Sequence, residues 1–186
     1  MRPAAAPLTW NVAGLLADEP GASREYDVSG ATLSLDADVS LADPIEGRVR
    51  MRRTNRGILV DADLATSLDA ECSRCLRPTE VPVEIAISEE FLPSLDLTSG
   101  QPVPTGEEPE VARLTDHHEI ELGPFVRDAI LLAEPIAVVC RDSCPGLCVV
   151  CGRPLDEGTH EHPEDDVDPR LEALRSFKVD AGDETE

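Results

Sequence analysis

A strict alternation of apolar and polar side chains runs through residues 48–87 and constrains this chain more than any other feature. Val49 and Met51 alternate with Arg48, Arg50 and Arg52. After Thr54-Asn-Arg-Gly57, the residues Ile58, Val60, Ala62, Leu64, Leu68, Ala70 and Cys72 share one parity, while Asp61, Asp63, Asp69 and Glu71 share the other. Val81, Val83, Ile85 and Ile87 then repeat the pattern, with Glu80 and Glu84 facing outward. A period of two is the mark of a strand with one buried and one wet face. Thr54–Gly57 reads as a hairpin turn in which Asn55 and Gly57 accept positive φ. The run from Ile58 is either one long bent strand or two strands joined without a separate loop. The same rule predicts a further strand from Thr32, with Leu33, Leu35, Ala37, Val39 and Leu41 opposed by Ser34, Asp36, Asp38 and Ser40.

Helical spacing occurs in three places. Leu122, Phe125, Val126, Ala129, Ile130 and Ala133 recur at three and four residues. Pro124 suits a first turn there and Pro135 stops the run, so this helix is expected to cover the apolar side of the sheet. Trp10–Leu16 offers a turn or two of helix capped by Asn11 and ended by Pro20-Gly21. Asp168–Lys178 forms one short amphipathic helix in an acidic tail. The fold class is α+β: an antiparallel β-meander sheet covered by one or two helices, with a small cysteine-rich C-terminal arm. The expected organisation is an N-terminal segment (1–30), a sheet domain with its helix (31–139), the arm (140–162) and the tail (163–186). Residues 93–119, rich in Pro, Gly and Glu, are expected to be a flexible loop without a core of its own. No internal repeat is read.

Charge narrows the function classes. Sixteen Lys and Arg against 38 Asp and Glu leave a net charge of −22. Such a chain repels nucleic-acid phosphates as a whole, so an RNA contact needs a local basic patch. The only concentration of positive charge is Arg48, Arg50 and Arg52, with Arg53 and Arg56 close by. On a strand the three alternating arginines stand on one face, roughly 6–7 Å apart. They either meet phosphates or an acidic partner, or pair with carboxylates on neighbouring strands. Aromatics at 3 % argue against a base-stacking platform. No run reaches the roughly 18–20 apolar residues of a membrane span, and the segment around Arg2, Pro3 and Pro7 has no export signal. A cytoplasmic location is expected.

The six cysteines fall into Cys72-Ser-Arg-Cys75 and the run Cys140, Cys144, Cys148, Cys151, followed by His160-Glu-His162. In a reducing compartment such clusters point to metal or redox chemistry rather than disulfides. Cys148-Val-Val-Cys151-Gly152 has the form of a knuckle, two thiolates on one tight turn with a glycine where the backbone folds under the ion. One structural zinc is expected, held by Cys144, Cys148 and Cys151 with a fourth ligand from Cys140, His160 or His162. Reduced thiols in a flexible arm are the plain alternative. Cys72 and Cys75 either join the metal, act as a redox dithiol, or form a strand-end turn with a buried thiol. A redox pair normally opens a helix, and Leu76-Arg-Pro78 does not begin one cleanly. His117-His118 reads as a surface pair. No Gly-rich phosphate loop, no Ser/His/Asp arrangement and no His-Glu-x-x-His motif occurs, so no catalytic residues are assigned.

Four segments carry a resemblance: Leu15-Leu16 with Pro20-Gly21-Ala-Ser-Arg24-Glu25; Cys72-Ser-Arg-Cys75-Leu-Arg-Pro78; Asp142-Ser-Cys144-Pro-Gly-Leu-Cys148-Val-Val-Cys151-Gly152-Arg-Pro-Leu155; and Asp168-Pro-Arg-Leu171-Glu-Ala-Leu174. In this order they resemble the YceD-like large ribosomal RNA subunit accumulation proteins, over about residues 10–178. The resemblance implies a non-enzymatic role in large-subunit rRNA accumulation or ribosome assembly, without a cofactor-driven reaction. It also implies that metal is not essential to the family's basic task, since some relatives lack most of the downstream cysteines. Others carry Cys-x-Cys where this chain has His160-Glu-His162.

The leading expectation is a ribosome-assembly factor that binds a ribosomal protein or pre-ribosomal RNA, with Arg48, Arg50 and Arg52 as the contact strip if RNA is touched. No membrane and no small-molecule substrate are expected as partners. The alternatives are a cytosolic thiol redox or metal-handling protein, and a zinc-stapled protein–protein adaptor.

Overall fold

The computed structural model describes residues 8–36, 39–96, 99–103, 111–158, 162 and 170–171. Contacts divide the chain into two compact units, Met1–Cys144 and Pro145–Glu186. In the first, the elements in order are β1 (Thr9–Asn11), α1 (Ala13–Ala17), β2 (Ser23–Ala31), β3 (Ser40–Leu41), β4 (Ile45–Arg53), β5 (Ile58–Glu71), β6 (Pro78–Phe91), β7 (Glu119–Glu121) and α2 (Gly123–Ala133). The second contains a 3₁₀ turn at Leu155–Glu157.

The meander predicted from alternation is the centre of the fold. β5 is a single strand and pairs with β6 antiparallel over all 14 residues, from Ile58↔Phe91 to Glu71↔Pro78. Its other edge pairs with β4 over Ile58–Ala65 and with β3 at Leu68 and Asp69, and β2 lies outside β4. Parity sorts the two faces as the pattern requires: Val49, Met51, Ile58, Val60, Ala62, Leu64, Leu68, Val83, Ile85 and Ile87 are all buried. α2 buries Val126 and Ile130. It packs on β6, and its Phe125 ring meets Phe91 edge-on at 5.2 Å. The α+β class is therefore present as expected.

Four details depart from the sequence reading. The described residues from Thr32 to Val39 form no strand. Leu33, Leu35 and Val39 pack partly buried against the core without a ladder, so apolar contact alone produces the alternation there. Ala37 lies outside the described residues. The strand instead lies just before, at β2, where a predominantly polar run buries only Val28 and Ala31 and a register shift falls between them. Gly57 is needed for space rather than for positive φ. The turn is closed by Thr54 N–H to Gly57 O at 3.0 Å, neither Asn55 nor Gly57 is in the left-handed region, and a Cβ at Gly57 would run into the Phe91 carbonyl.

The described residues of 93–119 carry more structure than a free loop. Leu92 N–H donates to Ala112 O (2.9 Å), Leu114 N–H donates to Leu92 O (3.0 Å), and Leu114 is buried. Its end leads into β7, which pairs with β1. His117 and His118 form the corner of this ribbon. Asn11 Nδ2 donates to His117 O at 2.9 Å, and Val12 N–H donates to His118 O at 2.8 Å. Asn11 also accepts from Ala13 N–H at 3.2 Å, but the capping position of α1 is held by Val12, without a side-chain cap, and not by Asn11 as the sequence predicts. Among the described residues no helix is long and apolar enough to cross a membrane. Most of the tail helix expected at 168–178 lies outside the described residues.

Candidate metal centre

Cys72 follows the last residue of β5, and Cys75 sits in the turn that returns the chain into β6. The turn is tight: Leu76 N–H donates to Cys72 O (2.8 Å) and Cys72 N–H donates to Arg77 O (2.9 Å). Closing it puts Leu76 in the left-handed region at φ 58. Beyond α2 the chain comes back to this turn. Ser73 N–H donates to Val138 O at 2.7 Å. The Arg74 guanidinium donates to the carbonyls of Asp142 (3.2 Å) and Cys144 (3.1 Å). These bonds bring Cys140 and Cys144 onto the Cys72–Cys75 turn.

The result is a cluster of four thiols whose sulfurs all lie within 4.8 Å of one another. Cys72 Sγ is 3.8 Å from Cys144 Sγ, and Cys75 Sγ is 3.8 Å from Cys140 Sγ. A tetrahedral zinc tetrathiolate with bonds of about 2.3 Å has sulfurs about 3.8 Å apart. The cluster thus has the dimensions of a closed four-sulfur site and could hold a metal ion. All four cysteines are free of disulfides. Cys72, Cys75 and Cys144 are buried. Cys140 is exposed as a residue, but its sulfur belongs to the cluster.

Electrostatics inside the cluster point the same way. The Cys72 thiol is lowered to about 6, first by the backbone N–H of Cys140 and then by that of Cys75. Cys140 is pushed up to about 12, first by desolvation and then by the Cys144, Cys75 and Cys72 thiols. At Cys75 the backbone N–H of Arg77 pulls down most strongly, yet desolvation and the Cys72 and Cys144 thiols outweigh it, and the net direction is up. The Cys72 thiolate forms readily, whereas those of Cys75 and Cys140 are opposed by desolvation and by neighbouring thiols. A dication removes that opposition.

The second unit brings Cys148, Cys151 and His162 together. Cys148 Sγ lies 3.2 Å from His162 Nε2. The six candidate ligands from Cys140 to His162 are therefore not gathered into one set. Cys144 and Cys140 join Cys72 and Cys75, whereas Cys148 and Cys151 join His162. His160 lies outside the described residues. The possible metal role of Cys72 and Cys75 is thus the arrangement the geometry favours, because a long β5–β6 hairpin delivers both to the returning chain.

A sequence signal for this was present and not read as a repeat. Cys72-Ser-Arg-Cys75-Leu-Arg-Pro78 and Cys148-Val-Val-Cys151-Gly-Arg-Pro154 share the spacing Cys-x-x-Cys-x-Arg-Pro. The second closes as the first does: Gly152 N–H donates to Cys148 O (2.9 Å) and Cys148 N–H to Arg153 O (2.8 Å), with Gly152 at φ 71. The same turn is built twice.

The arginine strip sits on the wet face of β4. Arg50 is opposite Glu25 and Asp61, and Arg48 is opposite Asp27 and Asp63. Arg50 donates to the Glu25 carboxylate. Arg48 lies 3.5 Å from Asp27, and Arg52 lies 3.9 Å from Asp61. The geometry is that of the ion-pair reading, with carboxylates supplied by both neighbouring strands.

An antiparallel sheet whose central hairpin ends in a cysteine knuckle, joined there by two further cysteines, defines a small α+β protein with a candidate metal centre. Residues 60–178 match the family described as "Large ribosomal RNA subunit accumulation protein YceD", and the chain belongs to that family. It is 34 % identical over 178 residues to an uncharacterized protein of Mycobacterium tuberculosis and equally to one of Mycobacterium bovis, covering 93 % of this chain and 82 % of each relative. An uncharacterized protein of Mycobacterium leprae is 31 % identical over 128 residues, covering 68 % of this chain and 55 % of the relative. No solved structure matches the chain significantly.

Proposed function

We propose that this protein supports the accumulation of large-subunit ribosomal RNA in the cytoplasm, as a binding factor in ribosome assembly and not as an enzyme. The observation that carries this reading is membership of the YceD family over residues 60–178. The chemistry of the site agrees with it. A closed set of four thiols holds a fold together and leaves no ligand position for a substrate. Zinc is the ion such a set suits, in a structural role.

The partner is better sought among basic ribosomal proteins than in bare RNA. The net charge is −22, and Arg48, Arg50 and Arg52 each stand beside a carboxylate of a neighbouring strand. Phosphates would have to compete with those carboxylates for the guanidinium groups. The test is depletion of the protein in its own cell, with both ribosomal RNAs quantified. Large-subunit rRNA should fall relative to small-subunit rRNA; an unchanged ratio contradicts the reading.

A further inference from the structure

The described residues of the second unit gain little from apolar burial. Among its described residues no apolar side chain is buried: Val149 is fully exposed, and Val150 and Leu155 are exposed as well. Yet the segment is ordered by specific bonds. Leu147 bridges Pro154 antiparallel, Leu155 N–H donates to Gly146 O at 3.0 Å, and the knuckle turn is closed at both of its bonds. So short a segment needs a source of free energy other than burial.

We propose that Cys148, Cys151 and His162 hold a zinc ion of their own, distinct from any ion at Cys72, Cys75, Cys140 and Cys144. Three observations support this independently of the ribosomal reading. The Cys148–Cys151 turn repeats the backbone bonding of the Cys72–Cys75 turn, which places two sulfurs of the four-thiol cluster. The three donor atoms lie within 4.8 Å of one another. The Cys148 Sγ to His162 Nε2 separation of 3.2 Å is near the roughly 3.5 Å between sulfur and nitrogen ligands on one tetrahedral zinc. Two thiolates with an imidazole form a borderline-soft donor set, which selects zinc over magnesium or calcium. Binding at this site supplies the folding energy that burial does not.

Zinc per chain is measured on the full protein purified without chelator, by elemental analysis and native mass spectrometry. Two equivalents are expected. The Cys148→Ser/Cys151→Ser variant should keep one. After cobalt(II) replaces zinc, this variant should also lose about a third of the thiolate-to-cobalt charge-transfer intensity, because two of six thiolates are gone. Two zinc ions retained by the variant would overturn the proposal. So would no zinc in the unmodified chain, or a single zinc that the variant retains, which is the result expected if Cys148 and His162 are only hydrogen-bonded. If the variant does not fold, zinc K-edge absorption on the unmodified chain decides the matter: a nitrogen neighbour beside sulfur is expected from His162, and an all-sulfur shell would overturn the proposal.

Discussion

Arg50 shows how a single side chain converts a charged face into a stable one. It stands between Glu25 on β2 and Asp61 on β5, and Asp61 in turn accepts from Ser88 Oγ at 2.7 Å. Opposite charges directly across a ladder support pairing. Glu25 is consequently held below the usual carboxylate range, first by the Arg50 hydrogen bond and then by its charge. A carboxylate whose folded pKa is depressed contributes stability above its unfolded pKa, and the contribution is lost as pH falls through the folded value. Arg50→Gln should return Glu25 to the ordinary glutamate range, seen by NMR titration of the Glu25 carboxyl carbon. It should also remove that share of the loss of stability on acidification. A Glu25 titration unchanged by the substitution would contradict the pairing. The ladder was half legible in the sequence. Arg48, Arg50 and Arg52 declared a common face, but the β2 carboxylates Asp27 and Glu25 sit 21 and 25 residues from Arg48 and Arg50, in a run without alternation.

At the scale of elements, the strongest patterns gave the most faithful predictions. β4, β5, β6 and α2 each place their apolar residues on one face, and burial follows parity or helical spacing in all four. β2 is where the signal fails. It buries only two of its residues, so hydrophobic period has little to report. The converse error at Leu33, Leu35 and Val39 arises because partial burial does not require a ladder. α2 is the element on which the core depends from one side. Ile130 is fully buried there. Ile130→Ala should therefore cost about 2–5 kcal/mol in urea denaturation; a loss under about 1 kcal/mol would mean that the helix does not close the core.

For the whole molecule, topology decides the candidate site. Cys72 and Cys75 are separated by 65 residues or more from Cys140 and Cys144. Spacing alone favours the near neighbours Cys144, Cys148 and Cys151. Only the folded hairpin, with the chain returning beyond α2 and tied by Ser73 and Arg74, shows which thiols meet. The repeated Cys-x-x-Cys-x-Arg-Pro turn was legible in the sequence, yet its two copies lie 76 residues apart and read separately as a strand end and a knuckle. Leu76 marks the difference between them. It takes the left-handed position that Gly152 fills in the second copy, a conformation that costs a non-glycine residue roughly 1–2 kcal/mol. Closing the first turn must offset that cost, and a metal ion joined to both of its thiolates would do so.

The four-thiol centre is tested most directly by zinc K-edge X-ray absorption on the full chain carrying Cys148→Ser and Cys151→Ser, which leaves one cysteine cluster intact. The predicted first shell is four sulfurs at about 2.3 Å with no nitrogen or oxygen, and its occupancy should fall as pH drops and protons compete for the thiolates. A shell containing nitrogen or oxygen, or protein that retains no zinc while Cys72, Cys75, Cys140 and Cys144 titrate freely, would contradict it.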